Sequence, residues 1–451
     1  MEITDSARNR MFSNKDLVRL IIPLIIEQML TVTVGLADSI MTANVGEEAV
    51  SGVSLVDSVM VLMINLFSAL ATGGAVVAGQ FLGQRKNIMA CKTADQLILF
   101  IVSLSVVIMA GIYACKNFIL NVVFGNIEPG VMHNAEIYLM IVTASIPFIA
   151  IYNGCAALFR IMGNSKISMN MSMLMNGINI AGNAILIYGF KFGVEGVAIP
   201  TLVSRIVAAV VMVRLLAKQN QDVHLSKHIH FHFKGYLIQK ILHIGVPNGI
   251  ENSMFQLGKL AIQSTVSTLG TTAIAAQAMT NILENLNGIG GIGVGIGLMT
   301  IVGQCLGADR KDEAVYYIKK LCVIAEIVMA ASCVIVFALT KPITILGGME
   351  PESAKMCLYM VGWITVVKPI VWTLAFIPAY GMRAAGDVRF SMILSCISMW
   401  AFRVTLCIYL CRVHGFGPIA VWIGMFTDWT IRGIVFTFRF MGRRWLAHKV
   451  V

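Results

Sequence analysis

Residues 16–42 read DLVRLIIPLIIEQMLTVTVGLADSIMT. Roughly 20 apolar residues in a helix cross a hydrocarbon core of about 30 Å, and this stretch is longer than that with only Asp16, Arg19, Glu27 and Asp38 charged. Comparable runs recur almost to the C-terminus. They are apolar all round, whereas the strands of a membrane barrel are segments of about ten alternating residues. Helical spans are therefore predicted near 16–42, 51–77, 93–113, 133–160, 168–188, 194–217, 239–266, 275–302, 316–340, 356–382, 388–411 and 418–440. The chain reads as an all-α integral membrane protein of about twelve transmembrane helices.

Composition agrees. The 451 residues are 57% hydrophobic and 13% charged, about half the charged fraction of a soluble domain, with a mean hydropathy of +0.81. The bilayer is the solvent. A polar Met1–Asp16 segment, and no small-residue cleavage site after the first run, predict that no signal peptide is removed. The cysteines lie mostly inside apolar runs without zinc or disulfide spacing and read as buried filler.

A net charge of +11 invites a nucleic-acid reading, so the placement of the charges decides. With the N-terminus inside, cytoplasmic segments and helix ends collect 24 Lys and Arg, and the external loops only Lys116, Lys191, Lys341, Lys355 and Arg412. Arg205, Lys259, Lys368, Arg403 and Arg432 sit at membrane depth. This is the positive-inside bias. It predicts a multi-pass protein of the cell (cytoplasmic or plasma) membrane with both termini cytoplasmic and no nucleic-acid partner.

The opening stretch has a second copy. Residues 247–266, PNGIENSMFQLGKLAIQSTV, repeat its proline and glutamate 224 positions on, so that Pro23 and Glu27 recur as Pro247 and Glu251. The same register pairs Gly46 with Gly270 and Gly79, Gln80 and Gly83 with Gly303, Gln304 and Gly307; a register of 223 pairs Arg160, Gly163 and Ser168 with Arg383, Gly386 and Ser391. Punctuating residues persist while the apolar filler drifts. The longest polar interruption, Lys218–Tyr236, lies between the copies. This gives a six-helix lobe over 1–217, a cytoplasmic linker over 218–238 and a second six-helix lobe over 239–451. Six helices per half return the chain to its starting side, so the repeat is parallel, with the pathway expected between the halves.

Acidic groups at membrane depth cost about 2.5–3.5 kcal/mol each on insertion scales, and Glu27, Asp38, Asp57, Glu251, Glu284, Glu326 and Asp428 all lie there. Glu27 and Asp38 are close to three turns apart and share one face of the first span. Asn176, Asn179 and Asn183 form one stripe on the fifth. By itself such a stripe reads as interhelical hydrogen bonding, worth about 0.6 kcal/mol on average. Glu251 and Lys259 flank a broad face of the seventh span, and Glu284 of the eighth is the expected partner of Lys259.

In the order and repetition of these motifs the sequence resembles the multidrug and toxic compound extrusion (MATE) family. The motifs are the prolines of spans 1 and 7, Asp38, the Gly-Gln-x-x-Gly endings of spans 2 and 8, Arg160-x-x-Gly and Arg383-x-x-Gly-Asp, and Gly193-Val-Glu-Gly-Val-Ala. The resemblance implies two six-helix lobes exporting organic cations or drugs in exchange for inward H⁺ or Na⁺. It also implies a cation site built from the residues matching Asp38, Asn179, Asn183 and Thr201, where Na⁺ would bind transiently. One carboxylate, two amides and a hydroxyl suit a hard cation. The branch with an acid followed by proline on span 5 has no counterpart here, because Asn183 and Ala184 stand there; an amide carries no proton at neutral pH, which favours Na⁺. The acid that another branch places midway along span 10 is replaced by Trp372. A flippase for a lipid-linked precursor, from the same superfamily, is the alternative.

Other signals are weaker. Gly288-Ile-Gly-Gly-Ile-Gly293 matches the dinucleotide fingerprint, but no strand precedes it. No phosphate-binding Gly-x-x-x-x-Gly-Lys loop is present, so neither a nucleotide partner nor an enzyme is expected. His224, His228, His230 and His232 alternate with apolar residues and fit a segment on the membrane surface better than a structural metal site. Methionines clustered at Met169, Met171, Met173 and Met175 read as packing, with an adaptable cavity as the other reading. The expectation is a monomeric antiporter in contact with membrane lipid, without cofactor beyond its coupling ion. Five basic against seven acidic residues at depth favour cationic substrates. A C-terminal tag should be inaccessible from outside intact cells and become labelled only after permeabilisation; labelling of intact cells would reverse the orientation.

Overall fold

The computed structural model describes residues 10–125, 127–226, 232–448 and 450–451. No strand occurs among the described residues, and the helices follow the predicted order. They are α1 (Asn14–Ala43), α2 (Glu47–Gly83), α3 (Asn87–Ala114), α4 in two segments (Pro129–Thr143 and Ile146–Ile161), α5 (Ser165–Ala184) and α6 (Glu195–Leu216). The second half holds α7 (Gly235–Val266), α8 (Thr271–Gly307), α9 (Lys311–Leu346), α10 (Pro351–Ala385), α11 (Val388–Ile397 and Thr405–Arg412, joined by a π-helical Ser398–Val404) and α12 (Ile419–Met441). Among the described residues nine helices are long and apolar enough to cross a bilayer, and the α4 segments, bent by 49°, together make a tenth. Of the twelve expected spans, α5 and α7 fall short of that apolar standard. Asn176, Asn179 and Asn183 dilute α5, and Glu251 and Lys259 dilute α7.

The repeat extends to the backbone. Turns with positive φ recur in register at Gly46 and Gly270 (143° and 95°), at Arg85 and Asp309 (58° and 57°) and at Gly163 and Gly386 (78° and 91°). At Arg85 and Asp309 the left-handed turn is kept without glycine, despite its cost to a residue with a Cβ.

Contacts divide the chain into two compact units, Ile26–Gly249 and Met1–Ile25 with Ile250–Val451. Helix α1 therefore changes unit after Ile25 and α7 after Gly249, positions that are themselves 224 apart. In the first unit, α7's opening turns lie directly on α2: a Cβ on Gly73 would stand 2.5 Å from the Ile241 carbonyl oxygen and 2.9 Å from the Gly245 nitrogen. In the second unit α8 takes the place of α2, and a Cβ on Gly293 would come within 3.0 Å of the Ile25 nitrogen. That explains the glycines at 288–293 by close packing, without a nucleotide.

Two residues beyond each crossing a buried carboxylate is caught by an arginine. Arg160 of α4 meets Glu27 at 2.5 Å, with the Ser168 hydroxyl donating to the same carboxylate at 2.9 Å. Arg383 of α10 meets Glu251 at 2.7 Å. Both carboxylates are 4% exposed, so each pair is an internal tie between helices and not a surface ornament.

The linker ends are held by α3: Asp95 accepts from the Ser226 backbone at 3.0 Å, and Gln96 donates to the His232 carbonyl at 2.9 Å. His228 and His230 lie outside the described residues. Cys155, Cys305, Cys333, Cys357, Cys407 and Cys411 are buried as filler should be, whereas Cys115 is exposed at the end of α3.

Gly73→Val should cost roughly 1–3 kcal/mol by overpacking the α2–α7 contact, read as a lower unfolding temperature of the detergent-solubilised protein. Gly111→Ala, with nothing within 4 Å of its Cβ position, should be neutral. Glu251→Gln should cost about 3–5 kcal/mol by stranding Arg383, with partial recovery on charge exchange (Glu251→Arg with Arg383→Glu). The same change at half-buried Glu326, which has no ion pair among the described residues, should have little effect.

Candidate cation site

Asp38 lies near the end of α1, where the helix faces α5 and α6 within the first unit. Its Oδ1 accepts a hydrogen bond from Asn183 Nδ2 at 2.7 Å. Asn183 sits one turn beyond Asn179, and the Asn179 amide donates to Thr201 Oγ1 at 3.0 Å. The Thr201 hydroxyl in turn donates a hydrogen bond to the Val197 carbonyl, 2.9 Å away. Asn179, Asn183 and Thr201 are buried at 6%, 0% and 7% exposure. The four residues matched by resemblance thus form one connected cluster.

Its valences are incomplete in an informative way. Asn183 Oδ1 is buried with no hydrogen-bond partner among the described residues. A half-turn of that carboxamide would aim this oxygen, instead of the amide nitrogen, at Asp38, giving a carboxylate and an amide oxygen side by side as a hard cation requires. A π-helical turn, Ile185–Gly189, begins two residues later. Such turns open the regular ladder and gather at functional positions.

Asp38 also opens onto a cavity of about 150 Å³ lined by Gly35, Ser39, Ser54, Asp57, Tyr138 and Val197 among others. That volume admits a cation with several waters. Asp57 accepts from the Tyr138 hydroxyl at 3.0 Å, while Arg205 is turned to Ser145 Oγ at 2.7 Å. Asp57 and Tyr138 belong to this site although the motif match did not name them. Their signal was available, since Asp57 is an acid at membrane depth without a repeat counterpart.

The other named residues lie elsewhere. Glu27 and Glu251 are engaged by Arg160 and Arg383 and do not touch the Asp38 cluster. Glu284 does not pair with Lys259. Its partner is Lys368 of α10 at 2.6 Å, and the same ammonium also donates to Asn287 Oδ1 at 2.6 Å. Spacing along α7 and α8 could not show that the lysine of a third helix lies closer. Lys259 is exposed and forms no ion pair among the described residues.

The two halves carry different charges on the same frame. In the 224 register Asp38 is replaced by Ile262 and Asp57 by Asn281, while Gly35 becomes Lys259 and Met60 becomes Glu284. The acids of the first site are therefore unique to one half, unlike Glu27 and Glu251. A separate apolar cavity of about 500 Å³ between α10 and α12, lined by Tyr359, Trp363, Ile423 and Phe426 among others, offers no charged group.

Comparison with known proteins follows the same division. The MatE family model matches residues 23–185 and 247–409, so each match begins at one of the paired prolines. "Uncharacterized transporter YisQ" of Bacillus subtilis (strain 168) is 28% identical over 431 residues, 94% of this chain and 93% of the relative. "Probable multidrug resistance protein NorM" of Thermotoga maritima is 24% identical, covering 97% of this chain and 94% of its own. A solved structure of the outward-facing conformation of a multidrug resistance MATE family transporter of the MOP superfamily superposes with a TM-score of 0.89 at 19% identity, over 95% of each chain. A MATE crystal structure in the bent conformation gives 0.87 at 20% identity, again over 95% of each. With both halves matched in register, this chain belongs to the MatE family of multi-pass membrane transporters.

Proposed function

We propose that the protein is a secondary-active antiporter of the cell membrane that exports amphipathic compounds, with a cation entering at Asp38 as the driving ion. The observation that carries this is the cluster of Asp38, Asn183, Asn179 and Thr201 beside a cavity of about 150 Å³, with one buried amide oxygen unpartnered among the described residues. The names of the NorM relatives support a drug as cargo. The excess of basic residues in the loops on the side of the termini supports a cytoplasmic position for both.

Coupling needs a site whose cation affinity differs between two conformations, because a ligand shifts an equilibrium only by its differential affinity. Asp38 suits that role. Among the described residues no cationic side chain lies within hydrogen-bonding distance of it, and it is held by a neutral amide. Any movement of α5 relative to α1 makes or breaks the Asp38–Asn183 contact, so cation occupancy and helix position are linked. One amide partner, Asn183, with Asn179 behind it, and no second acid in direct contact favour Na⁺ over H⁺ as the coupling ion.

Asp38→Asn keeps size and shape and deletes the charge, so uphill efflux should be abolished while the protein still folds. Asn183→Asp would put a second carboxylate against the first, a pair able to hold one proton between them; efflux should then depend more on pH and less on Na⁺. Initial rates against pH and Na⁺ in everted vesicles at matched expression test both. Gradient-driven efflux by Asp38→Asn at the parental rate would exclude the site.

A further inference from the structure

The second unit buries charge of the opposite sign. Around the Glu284–Lys368 pair lie Lys259, Arg403, Asp428 and Arg432, linked by short contacts or electrostatic proximity. Asp428 is taken by Arg432 at 2.8 Å and by the Ser398 hydroxyl, leaving its Oδ2 unpartnered. Glu284 is taken by Lys368. Four basic groups thus meet two carboxylates, and half-buried Glu326 on α9 would not cancel the surplus. The count of acids and bases along the whole chain, which favoured cationic substrates, hid this because it ignored which charges neutralise each other.

Arg403 is the exceptional member. It is 6% exposed, it stands in the π-helical Ser398–Val404, and its Nε has no hydrogen-bond partner among the described residues. Asn287, 1% exposed, spends its oxygen on Lys368 and leaves its Nδ2 donor unpartnered. A buried donor without an acceptor costs about 1–3 kcal/mol, more for a charged group. Asp428 Oδ2, although unpartnered, accepts from neither, so two such donors beside a surplus of positive charge point to an acceptor supplied from outside. Guanidinium Nε and Nη form the parallel fork that a carboxylate fits with two hydrogen bonds. Rings crowd the same region: Phe255 lies 4.6 Å from the Arg432 guanidinium, and Trp372 stacks on Phe376 at 4.8 Å. They lower the polarity around Arg432 and Lys368 and so strengthen charge contacts formed there.

We propose that this unit holds a recognition site for an oxyanion, the carboxylate of an amphipathic ligand, with Arg403 and Lys259 as its cationic contacts and Asn287 as a neutral donor. The proposal deepens the transporter reading and rests on it for the ligand's origin: cargo would carry an anionic group, as a zwitterion or an amphipathic acid. The cation at Asp38 and the anion at Arg403 would then occupy different units and need not compete.

The test uses the purified full chain in a neutral detergent and a rhodamine with a free carboxylate beside its methyl ester, followed by fluorescence anisotropy. The parent should bind the acid at least tenfold more tightly than the ester. Arg403→Gln and Lys259→Gln should each remove most of that preference, and Arg403→Lys should restore part of it. Lys259 is exposed, so its variant keeps the test decisive if Arg403→Gln fails to fold. Equal binding of the two dyes by the parent, or an unchanged preference in the Lys259 variant, would overturn the site. Displacement of the acid by short-chain phosphatidylglycerol but not phosphatidylcholine would confirm the oxyanion site and assign its ligand to a lipid headgroup. Efflux in vesicles is read separately: carboxylate preference in binding without gradient-driven export would reject the antiporter reading and leave the site standing.

Discussion

A carboxylate in hydrocarbon has no water to answer it, and the chain is organised around that constraint. Glu27 and Glu251 each follow a crossing from one unit to the other by two residues, and each meets an arginine at the end of the fourth helix of its half. The pair fixes the helix where its neighbours change. An apolar contact could hold the same helices together, but it would tolerate a slip along the helix axis. A short charge-assisted hydrogen bond does not, because a displaced carboxylate strands a guanidinium in a low-dielectric interior. The positions of α1 and α7 are set there, and with them the depth at which Asp38 and Lys259 lie.

A shared frame leaves the remaining positions free to diverge. The two halves keep their prolines, their glutamate–arginine ties and even the left-handed turns at Arg85 and Asp309. They differ where no tie is needed: acids at Asp38 and Asp57 in one, bases at Lys259 and Arg403 in the other. Repetition separates the residues that hold the helices from those that give each half its own chemistry. One half gathers acids and amides around Asp38, and the other carries excess positive charge around a buried arginine whose Nε has no partner among the described residues.

Much of this was legible in the sequence. Span order followed from apolar length alone, because lipid permits few other solutions. The repeat was visible in residues whose geometry cannot drift, such as Pro23 and Gly163. The duplicated ion pair was legible too, since Glu27, Arg160 and Ser168 recur together, although their meeting had to be seen. Asp38, Asn179, Asn183 and Thr201 came from a motif match and proved to be one hydrogen-bonded cluster. Partner choice was not legible. Glu284 has Lys259 and Lys368 in reach on different helices, and helical spacing constrains only residues on the same helix. The orphaned donors of Arg403 and Asn287 were equally hidden, because an unmade hydrogen bond leaves no trace in a sequence. The exchange of helix halves also has no compositional mark.

That exchange bears on ancestry. Neither unit is made from one contiguous half of the chain: each borrows the opening turns of a helix whose remainder belongs to the other. A forebear encoding a single copy would have exposed the seat on its second helix, where the glycine that became Gly73 leaves room for a foreign backbone and the one that became Gly297 makes room for the Ile21 side chain. It could fill that seat only by lending the corresponding segment reciprocally to a twin, as swapped homodimers do. Fusion keeps both lent segments in one chain, and the two halves are then free to differ in the acids and bases each carries.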